Sequence, residues 1–367
     1  MKRKISANQL FCAIILVPYG SAVLFFLAPN SKQDSWITLL IYILPTVLLQ
    51  IVYTSLWKKY PSDTIVTYMP KIFGKVIGYT ISILYIIYFA YIASRVLRDI
   101  TELITIAVMP VMSPIIITLM LISVIGYITY LDIENPSRLT HVIFYLFVFF
   151  FILEWIFLFT TPNALKFYNL KPILENGIMP VIKEGWKLIT FPFGESILLT
   201  MLYPLVVEVS KVRKATVLAI IFLGILLSLN TIMFISVLGV DFASNSTSPL
   251  LQTMRIMQIG ESFDRVDIFI ILIMLLGGFI KASFFMYGAM LGTTQLLKIK
   301  ATKYLALPFS ILVFIISLLI AKNYFQHIYI GLVWTVLYIH LPLIIIIPIV
   351  AWLVYYIRHG FKKADTK

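Results

Sequence analysis

Apolar stretches separated by short polar ones run along almost the whole chain. A membrane-crossing helix takes about 20 mostly apolar residues, and by that measure the pattern predicts ten: roughly Gln9 to Ala28, Trp36 to Leu56, Val76 to Ala107, Pro114 to Tyr130, Leu139 to Thr160, Trp186 to Val207, Thr216 to Val240, Asp267 to Leu291, Tyr304 to Ala321 and Gly331 to Ile357. Two longer polar connections fall at about 161–185 and 241–266, the second with a short helix expected around Leu250 to Gln258. The expected fold is therefore an all-α integral membrane protein forming a single transmembrane domain over residues 1–367.

Composition agrees. Of 367 residues 61% are apolar and 12% charged, with a mean hydropathy of +0.99, which excludes a water-soluble globule. The net charge of +13 raises nucleic acid as a partner, but Lys and Arg sit in short runs between apolar stretches, as they do when they fix topology. With the amino terminus inside, Lys2, Arg3, Lys4, Lys58, Lys59, Lys211, Arg213, Lys214, Lys298 and Lys300 all fall on inner segments. Both termini are thus expected in the cytoplasm, the lipid bilayer is the surrounding partner and no nucleic acid is implied. Met1-Lys2-Arg3-Lys4 precedes an apolar run too long for a signal peptide and lacking a small-residue cleavage pattern, so it reads as a retained first span. The single cysteine, Cys12, lies within that run and reads as packing.

One local pattern interrupts the monotony. Val17-Pro18-Tyr19-Gly20-Ser21 in the first stretch returns as Phe191-Pro192-Phe193-Gly194-Glu195 in the sixth. Pro removes a backbone donor and Gly loosens the chain, so the pair predicts discontinuous helices 1 and 6. Unpaired backbone groups persist at membrane depth only where protein, water or a ligand satisfies them. Each motif opens a set of five spans, and because five is odd the second set runs in the opposite sense. This predicts a 5+5 inverted repeat, with repeat one at about 5–160 and repeat two at about 186–357. The alternative is that the prolines merely kink two packed helices. On the first reading Pro18, Tyr19, Gly20, Ser21, Ala22, Phe193, Gly194, Glu195, Ser196 and Thr200 line a ligand site, with the aromatic rings as apolar wall and the hydroxyls as polar contacts. Free amides at one break suit an anionic group and free carbonyls a cationic one, which suits a small amino acid.

Further motifs carry a resemblance: Ile5-Ser6-x-x-Gln9-Leu10, Tyr60-Pro61-Ser62-x-Thr64, Ile72-Phe73-Gly74-Lys75, Asn169-Leu170-x-Pro172-Ile173-Leu174 with Pro180-Val181, and Phe191-Pro192-Phe193-Gly194-Glu195. Over essentially its whole length the chain resembles the B subunit of spore germinant receptors, the GerAB-like family, within the amino acid-polyamine-organocation (APC) transporter superfamily. The resemblance implies a LeuT-like fold in the spore inner membrane. It also implies A and C subunits as partners and a role in sensing a nutrient germinant to trigger germination. An ion- or proton-coupled amino acid permease is the alternative on the same fold.

Charges at membrane depth are the remaining candidates. Glu195 follows the second break and reads as a ligand-ammonium or proton-coupling group, or as a helix-cap contact. Lys281 sits mid-span and needs an anionic partner; by the superfamily's geometry it stands near the site, either pairing with Glu195 or replacing a coupling cation. Glu154 falls nearer the outer surface, with Trp155 beside it as an interface residue, or else serves as an interior partner. Arg95 with Asp99 and Arg98 with Glu102 are spaced to pair along one helix face. Tyr85, Tyr88, Tyr91 and His340 read as core. The four histidines are scattered, and with one cysteine neither a metal site nor a catalytic constellation is predicted, nor any cofactor. The chain reads as a non-enzyme.

Overall fold

In a computed structural model, residues 4–256 and 267–359 are described. Lys2, Arg3, Lys362, Lys363 and Lys367, the 257–266 part of the expected outer connection and the Gln258 end of its short helix lie outside them. Among the described residues every regular element is helical. In order the α-helices are α1 (Ala7–Ala22), α2 (Ser35–Lys59), α3 (Ile65–Phe73), α4 (Lys75–Ala107), α5 (Pro114–Tyr130), α6 (Glu134–Thr160), α7 (Met179–Thr190), α8 (Val212–Leu238), α9 (Val240–Asn245), α10 (Pro249–Ile256), α11 (Asp267–Leu297), α12 (Ala306–Leu319), α13 (Tyr324–Tyr329) and α14 (Ile347–His359). A 3₁₀ segment, Phe193–Met201, continues α7, and a π-helical stretch, Ile330–Ile346, joins α13 to α14.

Local chemistry places the ends. Ser6 caps α1: its hydroxyl accepts from the Gln9 amide at 3.1 Å, and the Gln9 side chain accepts from the Ser6 amide at 2.9 Å. Thr64 and Thr67 cap α3 in the same reciprocal way. Gly74, at φ +84°, lets α3 turn directly into α4, a conformation a Cβ would resist.

The burial pattern is that of a protein in lipid. All of α1 except Asn8, Gln9 and Phe11 is buried, as is the whole of Phe193–Met201, so these two segments form the axis of the bundle. Around them, α2, α6 and α12 turn Leu44, Leu48, Val142, Phe149, Phe159, Leu307 and Leu319 outward, while Gln50, Glu195 and Lys281 are inside. Apolar outside with polar inside inverts the arrangement of a water-soluble core. Among the described residues seven helices are long and apolar enough to cross a membrane, and α1 and α5 are shorter apolar helices. Of the other expected stretches, the first and sixth fall short because their α-helices stop at Ala22 and Thr190, and α5 has only 17 residues.

The two Pro-aromatic-Gly motifs behave differently from each other, which corrects the expected break in the first. The α1 helix runs unbroken through Pro18, Tyr19 and Gly20 and opens only at the turns after Ala22. Gly20 serves close approach instead: a Cβ there would lie 2.3 Å from the carbonyl oxygen of Gly277 on α11. In the second motif the α-helix ends at Thr190, before Phe191, and resumes as the 3₁₀ segment. A Cβ at Gly194 would meet the Ile189 carbonyl oxygen and Ile344 Cγ2, each at 2.4 Å, so the tight turn and the π-helical stretch packed on it both call for glycine there.

Candidate ligand chamber

The ends of the two axial segments meet α11 at Lys281. Its ammonium donates to Ser21 Oγ at 2.6 Å and to Glu195 Oε2 at 2.5 Å, and lies 5.3 Å above the Phe191 ring. Lys281 is 1% exposed and Glu195 2%, so each charge depends on the other for compensation. The two motifs therefore converge through their unlike last residues, Ser21 and Glu195, bridged by a third helix. Glu195 bonds a lysine and not a helix end.

These groups line a chamber of about 30 Å³, enough for one or two water-sized groups. Its other walls are Phe25, Phe191, Arg95 and Asp99 of α4, Ile328 of α13, and Gly331, Leu332, Thr335 and His340 of the π-helical stretch. Beyond it, towards the end of the bundle that holds Asn30 and Ser246, is a vestibule of about 470 Å³. Phe25, Phe191, Ile328 and Leu332 border both spaces. The Phe25 and Phe191 rings stand edge to face, 6.4 Å apart, between them.

Of the expected site residues, Ser21 and Glu195 line this chamber together with Lys281. The others are placed elsewhere around it. The Tyr19 hydroxyl accepts from Asn230 at 2.5 Å and its ring packs on Phe147, beside a separate cavity of about 20 Å³ that Gly20 and Glu154 also line. Ser196 accepts from Gln50 at 2.7 Å, Thr200 donates to the Ile197 carbonyl, and Phe193 reaches towards Gly224 of α8. Pro18, Ala22 and Gly194 are buried in the two axial segments.

Arg98 and Glu102 pair at 2.6 Å as their spacing predicts, but Arg95 and Asp99 do not pair with each other. Both reach α13: Arg95 Nη2 donates to the His327 carbonyl at 2.7 Å, and Asp99 Oδ1 meets His327 Nε2 at 2.8 Å. Local spacing conceals this, because the third partner lies more than 200 residues further on. The tyrosines of α4 face the last helical unit, with Tyr85 donating to the Leu343 carbonyl at 2.7 Å and Tyr91 bonded to Thr335 at 2.8 Å. Tyr53 of α2 donates to the Ile344 carbonyl. Tyr53 and Tyr85 thus satisfy carbonyls beside Pro342, where the helical ladder is irregular.

At the opposite end of the bundle from the vestibule, Asp132 receives the Lys4 ammonium and, at 2.6 Å, the Tyr287 hydroxyl. Burial pushes the Asp132 carboxyl up, but Lys4, Tyr287 and the Ile133 amide outweigh it and hold the carboxyl below its ordinary range.

The family described as "Spore germination protein" matches residues 4–325. Spore germination protein KB of Bacillus subtilis (strain 168) is 34% identical over 354 residues, 96% of this chain and 95% of that protein. This chain belongs to the spore germination protein family. A second member from the same organism, spore germination protein YndE, is 28% identical over 307 residues, 81% of this chain and 82% of its own length. Among solved structures, MHP1, a nucleobase-cation-symport-1 family transporter in a closed conformation with bromovinylhydantoin bound, shares the fold. Its TM-score is 0.60 at 12% identity, covering 92% of this chain and 76% of that one. The chain is thus a multi-pass membrane protein of the spore germination family with a transporter's fold, and the proteins it resembles are a germination protein and a transporter.

Proposed function

We propose that this chain is the membrane-embedded, nutrient-binding B subunit of a spore germinant receptor. In this reading it has ten membrane-crossing segments in two inverted sets of five. The Lys4 end faces the cytoplasm and the vestibule faces outward, in the spore inner membrane. A small germinant, an L-amino acid, enters through the vestibule and seats its charged end past Phe25 and Phe191, in the chamber at Ser21, Glu195 and Lys281. Occupancy shifts the balance between conformations, and A and C subunits read the shift. The observation that carries the reading is the chamber itself: a compensated buried ion pair where an interrupted helix and a helix end converge, beneath a vestibule, in a chain of this family.

A second reading, a permease that moves the amino acid using an ion or proton gradient, is favoured by the likeness to a transporter fold. Reconstitution of the purified chain into liposomes with radiolabelled L-amino acids separates the two. Saturable binding without accumulation is expected of the receptor subunit. Concentrative uptake by the chain alone overturns it in favour of the permease.

A further inference from the structure

Arg95 is the cation of the chamber whose charge is not met directly by a carboxylate. Lys281 is closed on Glu195, and Asp99 is closed on His327. Arg95 is 7% exposed, and its Nη2 is held by a neutral backbone carbonyl. Nη2 also lies 3.4 Å from His327 Nε2, the nitrogen that meets Asp99, so the acid reaches Arg95 only through that ring. Nη1 is buried and has no partner among the described residues; the same holds for both ring nitrogens of His340, which is 2% exposed and lines the same chamber. A guanidinium at membrane depth with an unused donor is costly unless an anion or water completes it. The fork geometry of a guanidinium matches the two oxygens of a carboxylate.

We propose that Arg95, assisted by His340, is the carboxylate-recognition group of the chamber, so that the ligand is bound by its acid end and its remainder projects towards the vestibule. This rests on the reading of the chamber as a nutrient site. Size supports it: about 30 Å³ accommodates a headgroup of a few atoms, whereas the 470 Å³ beyond Phe25 and Phe191 accommodates a side chain. Charge supports it too, because the direct pairing of Lys281 with Glu195 leaves Arg95 as the chamber's cationic donor still available for an incoming acid. Gly331 holds the arrangement. A Cβ at that position would lie 2.0 Å from Arg95 Nη2, so the guanidinium rests directly against the backbone of the π-helical stretch.

The test uses the purified full chain in nanodiscs and measures binding of the twenty L-amino acids, their carboxamides and hydantoin as an uncharged ring. The expected result is that at least one free acid binds and that its carboxamide binds about 10- to 100-fold more weakly, the range for losing a charge-assisted hydrogen bond. Arg95→Gln is expected to erase that difference. Gly331→Ala, which displaces only the flexible tip of Arg95, is expected to weaken acid binding while leaving the melting temperature within a few degrees. Acid and carboxamide binding equally overturns the inference, on the wild-type protein alone. Acid binding that survives Arg95→Gln unchanged, or hydantoin binding without any acid, also overturns it but keeps a ligand site. Silence of every compound overturns both the inference and the amino-acid reading beneath it.

Discussion

Lys281 and Glu195 bury opposite charges 2.5 Å apart, so removing one strands the other in an apolar surround. Breaking such a pair costs about 3–5 kcal/mol, whereas replacing both partners with apolar residues of similar volume is often neutral. Lys281→Met and Glu195→Gln are therefore each expected to lower the melting temperature of the purified protein. The double variant Lys281→Met/Glu195→Met should recover most of it without restoring the germinant response; equal losses in all three proteins would refute the compensation argument. Glu154 makes the contrast. It is buried beside Tyr19 in an apolar cavity, and no hydrogen bond or ion pair to it is found among the described residues. Glu154→Gln removes an ionisable group without stranding a partner, and its melting temperature should equal or exceed that of the wild type. The pair at Lys281 is legible in the sequence, because a lysine in the middle of an apolar run requires an anion and the only acid in a broken motif is Glu195. The placement of Arg95 is not, since Asp99 four residues on offers a local partner that the fold does not use.

At the scale of elements, the two copies of Pro-aromatic-Gly do different mechanical work. In α1 the glycine admits the backbone of α11 and the helix continues; in the sixth stretch the helix stops before Phe191 and resumes as a 3₁₀ segment. The copies look alike in sequence because both positions require a residue without a side chain, yet what fills the missing space differs: the backbone of a neighbouring helix in one case, the chain's own turn together with the Ile344 side chain in the other. Gly20→Ala should consequently separate α1 from α11, since a backbone carbonyl 2.3 Å away cannot yield as a side chain tip would. Pro18→Ala should leave the fold intact, because the helix is already continuous there. Comparing melting temperatures tests this, with the prediction failing if Pro18→Ala is the more damaging. Elsewhere the apolar pattern locates helices well. The expected stretch from Pro114 to Tyr130 coincides with α5, and that from Val76 to Ala107 starts one residue inside α4. The π-helical stretch is not legible, because its irregular carbonyls are satisfied by Tyr53 and Tyr85 from distant helices.

Across the whole molecule the two ends are unequal. One carries an open vestibule over the chamber, and the other is closed by Lys4 and Tyr287 on Asp132, together with the pairing of Ile5 with Val206. Asp132 holds a left-handed backbone, φ +75°, that directs its carboxylate at two elements at once, the amino-terminal segment and α11. A molecule that answers a ligand by changing shape needs such a closure to be breakable, and a few polar contacts at the entry of α1 are easier to release than the packed axis. The titration of Asp132 provides the handle. Its carboxyl is held below the ordinary value of about 4, so the stabilisation is complete above that value and is lost as pH falls through the lower folded-state value. At neutral pH the closure is intact, and acid below about pH 4 should open it. Hydrogen exchange at the Ile5 and Val207 amides, which bond to Leu205 and Ile5 across this seam, reports the opening once corrected for intrinsic rate. Asp132→Asn should show fast exchange at neutral pH with little further change in acid. If the variant exchanges as slowly as the wild type, the seam is held by the backbone pairing alone, and the Lys4 end is not where the conformational change is released.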